Sequence, residues 1–498
     1  MILLFILFLF TSAMAFVSRR ADVVRSVAFA MGIINSLVGF FLFIGPMISQ
    51  NETLATGFLR IDRFSAFMGL LIILVYGFAM ISSHRFIAEE TRQGIMDIKQ
   101  TRLYFFLLPI FALAMLTVVV TDNLAMLWLS LEATTLATTP LVALYKKDGS
   151  LEAAWKYIIL CSLGISLGLL GVLMISYSGI TSGMSATDSL SLSLLMGNAP
   201  HLLPATMQWG FVFAFIGLGT KVGFFPLHAW LPDAHGRTPS PVSAMLSGIL
   251  LNVAFYCLMR VKFITDVSLG TDQWTNNVFL VFGILSVAAS AFYLYIQHHY
   301  KRMLAYSSME HMGILAISIG LGPVGIVPAL MHMFAHTLSK SLLFFASGEI
   351  LLNTHTGKID DVKNMIVKIP ITGTLFILGM FSLLAVPPFA TFASELLIMS
   401  AAVAQGRLVI FFILLGSLSL VAVSLLKHTF HMFCIDSSHE DTAHMATADE
   451  TKRAKSVEKF NLTHLVMTVQ IVVLLVAGIV MLTQNGFDFF AHIAQSIV

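Results

Sequence analysis

The chain has 498 residues, of which 57% are hydrophobic and only 11% are charged, and its formal net charge is +2. Soluble globular chains carry about 25% charged residues, so this composition excludes an ordinary soluble protein, and its wealth of apolar groups excludes a disordered one. The three cysteines, Cys161, Cys257 and Cys434, lie far apart without a CxxC or Cys/His spacing. We therefore expect no cysteine-based zinc or iron–sulfur site, no disulfide framework and no nucleic-acid partner.

Apolar runs recur along the whole chain, and crossing a bilayer takes roughly 20 mostly apolar residues. The runs predict about fourteen transmembrane helices, numbered here in chain order: 2–18, 24–48, 63–82, 103–121, 123–144, 155–177, 207–229, 241–262, 276–297, 303–320, 325–352, 369–400, 408–434 and 462–484. Two of them, 325–352 and 369–400, are longer than a membrane is thick, so they must tilt, extend into water or be interrupted. The predicted fold is an all-α polytopic membrane protein.

The distribution of basic residues predicts the orientation. Arg19 and Arg20 follow the first apolar run, whereas a signal peptide has its positive charges before it, so we interpret 2–18 as a membrane helix with an external N-terminus. Most of the 28 Lys and Arg residues then lie in cytoplasmic loops, as the positive-inside rule requires. With an even number of spans the C-terminus is also outside, and the predicted location is a bacterial or archaeal inner membrane.

Proline residues interrupt two of the predicted spans. Pro226 lies in helix 7, and Pro387 and Pro388 lie in helix 12. Proline removes a backbone donor and opens the helix before it. Helices 4–8 and 9–13 each form a five-helix unit, and since five is odd the two units have opposite orientations. Inverted repeats with matching broken helices point to an ion site near the membrane midplane.

This pattern predicts five segments. Their bounds are 1–100 for helices 1–3, 101–265 for the first repeat, 276–434 for the second, 435–461 for a cytoplasmic loop and 462–498 for the C-terminal helix 14.

A charged residue inside an apolar run costs a few kcal/mol at the bilayer centre, and six such residues are candidates for an ion path. They are Glu132, Lys221, Lys340, Glu349, Glu395 and Lys427. Such residues are expected to face the protein interior and to pair with one another, and to mark an ion path. For Glu132 a purely structural pairing with a neighbouring lysine remains an alternative. Lys221 lies close to the Pro226 break, where freed carbonyl groups are tolerated because they line a wet cavity.

His332, His336 and Lys340 are spaced i, i+4 and i+8, so they share one face of a helix. The two histidines resemble the helix of zinc proteases, but that motif needs a glutamate directly after the first histidine, and position 333 is methionine. We therefore predict no metal site. Three titratable groups in line favour a proton relay, although a histidine in a membrane helix also often bonds only to a neighbouring hydroxyl group.

Several stretches resemble one known family. The residues from Lys221 to His235, continuing through 239–244, are similar to the signature of the antiporter-like subunits shared by complex I, Mrp antiporters and membrane-bound hydrogenases. Supporting stretches are 130–135, 308–313 and 332–340. Within this family the segments 150–157 and 246–254 look closest to the F-type membrane subunit of hydrogenase-4 and formate hydrogenlyase.

The resemblance implies roles for particular residues. Glu132 and Lys221 would form the coupled carboxylate–lysine pair of the family. His311, His336 and Lys340 would lie on its central hydrophilic axis, and Glu395 would lie at the far end. Asn252 departs from the pattern, because complex I M-type members have a second lysine there. An asparagine cannot carry a proton at ordinary pH, which puts autonomous pumping in doubt.

The sequence therefore predicts a proton-translocating subunit of a redox complex, with other membrane and peripheral subunits and the lipid bilayer as partners. The transported ion is H⁺, with Na⁺ as an alternative. We expect no catalytic centre and no cofactor in this chain, since it has no P-loop, no GxGxxG after a strand and no cysteine set. The alternatives are a complex I M-like subunit, a stand-alone Na⁺/H⁺ antiporter and a membrane anchor that does not pump.

Overall fold

The computed structural model describes residues 1–48, 54–56, 59–433 and 458–497, and in this part the chain is almost entirely helical. The helices are α1 (Ile2–Met14), α2 (Ala21–Ile48), α3 (Arg63–Arg92), α4 (Ile98–Val120), α5 (Leu124–Val142), α6 (Asp148–Thr181), α7 (Leu192–Gly197), α8 (Pro204–Val222), α9 (Leu231–Arg237), α10 (Ser240–Met245), α11 (Leu251–Leu269), α12 (Gln273–Tyr295), α13 (Tyr300–Gly320), α14 (Pro323–Thr354), α15 (Met365–Lys368), α16 (Pro370–Leu383), α17 (Ala390–Ala404), α18 (Leu408–Phe433), α19 (Leu462–Met481) and α20 (Gln484–Ala494). Single 3₁₀ turns occupy Asp188–Leu190 and Ala199–His201, and a π-helical turn at Leu246–Leu250 joins α10 to α11.

The predicted all-α polytopic membrane fold is confirmed, because each of the fourteen apolar runs overlaps a helix. Among the described residues, eight helical stretches are long and apolar enough to cross a membrane, namely α2, α3, α4, α6, the continuous α10–α11, α12, α18 and α19. The helices α5, α8, α13 and α14 are 19 to 32 residues long but less apolar. They carry the buried residues Lys221, Lys301, Glu310, Lys340 and Glu349. A short hairpin of β1 (Leu54–Thr56) and β2 (Leu59–Ile61) was not predicted.

Some predicted boundaries differ from the observed ones. Helix α3 continues to Arg92, ten residues past the end of its apolar run, and carries Glu89 and Glu90 beyond the hydrophobic stretch. Helix α20 follows the last predicted span as a separate short element. The predicted cytoplasmic loop 435–461 falls almost wholly outside the described residues, as does Cys434, whereas Cys161 and Cys257 are buried free thiols.

Helix 7 of the prediction is interrupted between α8 and α9. Helix α8 ends at Val222 because Gly223 adopts a left-handed conformation (φ 83°), which glycine enters without a steric cost. The carbonyl of Thr220, freed by the break, accepts a hydrogen bond of 2.8 Å from the indole Nε1 of the buried Trp230. The break therefore lies inside the protein with its polar groups satisfied, as a membrane interior demands.

The second interruption separates α16 from α17. The chain leaves the helix after Leu383, passes Pro387 and Pro388, and resumes a helix at Ala390. Helix α19 crosses this break at Gly478, where an added Cβ would lie 2.0 Å from the carbonyl oxygen of Pro388. Only glycine permits so close an approach. Both interruptions lie in the helices that the prolines predicted.

Small residues bring α6 and α8 into direct backbone contact. A Cβ added at Gly217 would lie 2.5 Å from the Cα of Gly168, and one added at Gly171 would lie 2.5 Å from the backbone nitrogen of Ala214. Close approach through small residues is the usual way in which membrane helices associate, because lipid provides no hydrophobic driving force between them. This contact holds the end of α8 against α6.

Glu458 closes the N-terminus of α16. Its carboxylate accepts hydrogen bonds from the backbone nitrogen of Ile371 (2.7 Å), from the hydroxyl of Thr372 (2.5 Å) and from the ring of His464 (3.2 Å). Burial by itself raises the pKa of a carboxyl group, but the hydrogen bonds from His464 and Thr372 hold the pKa of Glu458 below its ordinary value. A carboxylate at a helix N-terminus also interacts favourably with the helix dipole.

We expect Glu458→Ala to destabilise the protein, because it leaves the first backbone N–H groups of α16 without an acceptor. The loss should be about 1–2 kcal/mol, as for other helix caps, and thermal unfolding of the purified protein in detergent measures it. The control is Glu152→Ala, whose side chain is 65% exposed and makes only a surface ion pair with Lys156. Equal melting temperatures for the two variants would contradict the capping role.

Candidate functional site

Lys221 lies in the last turn of α8, next to the break, and is completely buried. Its Nζ donates to the hydroxyls of Thr134 (3.4 Å) and Tyr157 (3.5 Å) and lies 5.4 Å from the centre of the Tyr157 ring. Hydroxyl oxygens and an aromatic face both stabilise an ammonium group. The lysine thus faces α5 and α6 rather than the lipid.

Glu132 is half-buried on α5 and accepts hydrogen bonds from Thr135 (3.1 Å) and Ser162 (2.6 Å). Among the described residues no ion pair within 4.0 Å joins it to Lys221, although the two charges interact. The adjacent residues Thr134 and Thr135 connect them, since one bonds to the lysine and the other to the carboxylate. The structure therefore brings the predicted pair together, but through hydroxyl groups.

Lys340 is buried on α14 and belongs to a second group of polar residues. Its Nζ donates to the carbonyl oxygen of Leu304 (3.1 Å) and to the hydroxyl of Ser307, both on α13. Glu310, one turn further along α13, is also buried, and its charge interacts with that of Lys340. One carboxylate oxygen of Glu310 has no partner among the described residues.

A third group consists of histidines between α13, α14 and α17. Nδ1 of His311 lies 2.9 Å from Nε2 of His332, and Nδ1 of His332 lies 3.0 Å from the hydroxyl of Ser394. The ring of His336 is 5.4 Å from that of His311. Ligand atoms of His311, His332 and Glu395 all lie within 4.8 Å of one another. The shared face of α14 thus brings both of its histidines to His311.

Trp230 and His235 lie between the Lys221 group and the Lys340 group. The Trp230 ring is 5.0 Å from Tyr157 on one side and 6.3 Å from His235 on the other. His235 is completely buried, neither ring nitrogen has a partner in the described structure, and the charges of Lys301 and Lys340 both act on it. His235 is therefore a titratable group between Lys221 and Lys340.

A cavity of about 390 Å³ opens at the helix ends that the basic residues predicted to be cytoplasmic, where Gly236, the chain neighbour of His235, lines it. It is lined by Glu90, whose carboxylate oxygens accept from the hydroxyl of Tyr145 at 2.7 and 2.9 Å. Lys301 also lines it and donates to the carbonyl oxygen of Thr238 at 2.6 Å. The cavity gives water a route to a buried carboxylate and a buried lysine.

Sequence reasoning missed four residues of this arrangement: Glu90, His235, Lys301 and Glu310. Glu310 stands inside the apolar run 303–320. A complete search for charged residues inside apolar runs, which is how Glu132 was predicted, would also find Glu310. His235 was quoted only as part of a motif. Glu90 and Lys301 fall just outside predicted spans, where charged residues are ordinary, and nothing in the sequence marks them as buried.

Two of the six charged residues predicted from the apolar runs lie outside these groups of polar residues. Glu349 is buried but accepts from Nε of Arg85 at 3.1 Å, an ion pair between α14 and α3. Lys427 is exposed on α18, with its Nζ 4.4 Å from the centre of the Tyr295 ring. An exposed lysine on a membrane helix extends its charged end towards the interface.

Asn252, which stands where a lysine was expected, connects α11 to α14. Its Nδ2 donates to the carbonyl oxygen of Met333 (3.1 Å) and to the hydroxyl of Thr337 (2.8 Å), next to the π turn at Leu246–Leu250. Such turns are frequent at functional sites. Here a neutral amide holds in place the helix that carries His336 and Lys340.

We expect Asn252→Ala to lower the free energy of unfolding by about 1–2 kcal/mol, because a buried amide with two hydrogen bonds is lost. Asn353→Ala on the same helix α14 is the control, since Asn353 is exposed and bonds only within its own helix. Denaturation of both purified variants measures the difference. A destabilisation no larger than that of the control would show that Asn252 does not connect the two helices.

A family model described as NADH:quinone oxidoreductase/Mrp antiporter, TM, matches residues 121–421. This range contains Glu132, Glu395 and the buried site residues between them, namely Lys221, His235, His311, His332, His336 and Lys340. The match therefore covers these site residues and most of the helices that surround them, but not Glu90.

Curated sequences give a finer comparison. The chain is 33% identical over 396 residues to a hydrogenase-4 component F homolog of Methylacidiphilum infernorum (isolate V4), which covers 79% of this chain and 83% of that protein. It is 28% identical over 349 residues to hydrogenase-4 component B of Escherichia coli (strain K12), covering 68% of this chain but only 50% of that longer protein.

Solved structures share the fold. A chain of the membrane-bound sulfane sulfur reductase, an archaeal respiratory membrane complex, superposes with a TM-score of 0.82 at 21% identity, over 100% of this chain and 97% of that one. A chain of the Mrp complex from Dietzia sp. DQ12-45-1b gives a TM-score of 0.78 at 18% identity, over 100% and 98%. At these identities the likeness shows the fold alone.

Proposed function

The chain belongs to the NADH:quinone oxidoreductase/Mrp antiporter transmembrane family, and we propose that it translocates protons as the antiporter-like subunit of a membrane-bound redox complex. The observation that carries the proposal is the line of ionisable side chains buried in the membrane-spanning helices, from Glu132 through Lys221 and Lys340 to Glu395. Charges in such a position are costly, and in membrane proteins they mark ion pathways.

The Lys221 group supplies a switch between two protonation states. Burial favours the neutral form of a lysine, whereas a nearby carboxylate favours the charged form. Thr134 bonds to Lys221 and Thr135 bonds to Glu132, so a rearrangement of these two side chains would change the distance between the charges. A change of about 1.4 kcal/mol in the interaction energy between Glu132 and Lys221 alters the ratio of charged to neutral lysine tenfold.

Protons enter this line from the cytoplasmic side. We place one entry near Lys221, and the cavity lined by Glu90, Lys301 and Gly236 supports a second entry. His235 then stands between that entry and Lys340. A neutral imidazole accepts a proton at one nitrogen and releases another from the opposite nitrogen, so it suits a relay position.

From Lys340 the path continues along α13 and α14. Glu310 faces the lysine, and His336, His311 and His332 lead from there to α17. Ser394 and Glu395 are the last polar groups on this side, and Glu395 is the proposed exit towards the outside. The line holds two lysines and several imidazoles, whereas hard metal cations such as Na⁺ are bound by oxygen ligands, so H⁺ suits it better.

The energy for transport must come from partner subunits, because no redox-active group is predicted for this chain. The two curated relatives described above are named as hydrogenase-4 components. We therefore propose a hydrogenase-4 or formate hydrogenlyase type of complex, in which a [NiFe] hydrogenase module supplies the redox energy. The proposed location is a bacterial or archaeal inner membrane, with both chain termini outside.

The proposal predicts that Lys221→Ala abolishes proton translocation while the complex still assembles. The rate should fall at least about tenfold, equivalent to 1.4 kcal/mol of lost stabilisation, because no other cation replaces the ammonium group between Thr134 and Tyr157. Proton uptake into vesicles that contain the complete complex measures the rate, and co-purification of the partner subunits measures assembly.

Lys427→Ala is the matched control, since it removes a lysine that also lies in an apolar run but is exposed and outside the buried line. It should leave translocation unchanged. Normal translocation by Lys221→Ala would remove this lysine from the path. If the unaltered complex transfers electrons at the full rate but moves no protons, the chain acts only as a membrane anchor.

A further inference from the structure

The histidine group contains a set of atoms suited to a metal ion. His311, His332 and Glu395 each present one ligand atom, and the three atoms lie within 4.8 Å of one another. Both histidines are completely buried, and the carboxylate is 6% exposed. Two imidazoles with one carboxylate are a frequent ligand set of Zn²⁺, and a fourth position remains open for water. The three residues come from α13, α14 and α17, so the set exists only in the folded chain.

Hydrogen bonds determine which nitrogen of His332 is free. The hydroxyl of Ser394 donates to the carbonyl oxygen of Thr391 (2.9 Å), because a carbonyl can only accept. Ser394 must therefore accept the bond from Nδ1 of His332 at 3.0 Å. Nε2 of this ring then carries a lone pair directed at His311. Histidines that bind metals usually donate their second N–H in this way, which fixes the ring orientation.

The spacing of the two rings also suits a metal. In a tetrahedral site with Zn–N bonds of about 2.0–2.1 Å, neighbouring ligand atoms lie about 3.3 Å apart. Nδ1 of His311 and Nε2 of His332 are 2.9 Å apart, so the two atoms must move apart by a few tenths of an ångström, and both rings must turn so that their lone pairs converge on the ion. The metal takes the place of the shared proton, and His311 then carries its proton on Nε2, which has no partner among the described residues.

The surrounding charges partly balance a cation. The charge of Lys340 acts on all three histidines and opposes a metal ion. Glu310 interacts with Lys340 and with Glu395, and these two carboxylates favour a cation. A divalent ion that replaces protons in this group therefore meets one positive and two negative side chains.

We propose that His311, His332 and Glu395 form a site for Zn²⁺ or a similar divalent transition metal, and that a bound ion blocks proton transfer along α13 and α14. The blocking rests on the proposed function, because the ion occupies the relay between Lys340 and Glu395. The site itself does not depend on it. Zinc would act as an inhibitor, and no step of transport requires it.

Binding is tested on the full-length purified chain with Co²⁺ as the probe, because four-coordinate Co²⁺ gives intense visible absorption bands. The unaltered chain should show these bands, and Zn²⁺ should remove them. His332→Gln should abolish them, and Glu395→Gln should weaken them. His298→Gln is the control: this histidine is 77% exposed beside Asp360 and could bind metal at the surface. Bands that persist in His332→Gln or disappear in His298→Gln would overturn the site.

Ser394→Ala keeps all three ligands and removes only the group that orients His332. Loss of such an outer partner typically weakens metal binding about 10–100-fold. We therefore expect weaker Co²⁺ binding with the same band shape, and this variant is useful if His332→Gln does not fold. Unchanged affinity in Ser394→Ala would contradict the hydrogen-bond argument.

Blocking is tested in vesicles that hold the complete complex. Zn²⁺ should inhibit proton translocation by the unaltered complex at the concentration that displaces Co²⁺ from the chain, and Ser394→Ala should require about 10–100 times more. Zinc that binds without slowing translocation would overturn the blocking, but not the site. A loss of translocation in Lys221→Ala remains a separate result, so failure of the proposed function can be distinguished.

Discussion

The cost of a charge in hydrocarbon governs this structure. A membrane interior offers no water to unpaired polar groups, so each buried lysine and carboxylate must find its partners on neighbouring helices. Lys221 finds two hydroxyl groups and an aromatic ring, and Lys340 finds a carbonyl oxygen, a hydroxyl and the charge of Glu310. The first broken helix obeys the same constraint, because the carbonyl group of Thr220 that the break frees accepts a hydrogen bond from the buried Trp230. Helices α13 and α14 are almost wholly buried, whereas α2 and α18 are largely exposed.

Much of this could be predicted from the sequence. The apolar runs located every membrane helix, since a span needs a fixed length of hydrophobic residues. The prolines located both interruptions, because proline cannot donate to the helix ladder. Helical periodicity placed His332, His336 and Lys340 on one face, and the structure brings that face to α13 and α17. These predictions succeeded because each rests on local geometry that a single segment determines.

Other features depend on contacts between distant segments, and a single sequence does not reveal them. The position of Glu90 next to Lys301 requires α3 and α13 to meet at one end of the bundle. The hydrogen bond between His311 and His332 depends on the relative rotation of α13 and α14. Glu349 and Lys427 met the same sequence criterion as Lys221, but one pairs with Arg85 and the other is exposed. A charge inside an apolar run therefore does not by itself predict membership of one site.

The most direct test of the account is the number of protons translocated per electron by a complex that carries Glu310→Gln together with Lys340→Met. This double substitution removes both charges at once, so neither is left buried without its partner, and helix packing should persist. The account predicts that electron transfer continues while the proton-to-electron ratio falls by the contribution of this chain. An unchanged ratio would show that protons do not pass through the buried line.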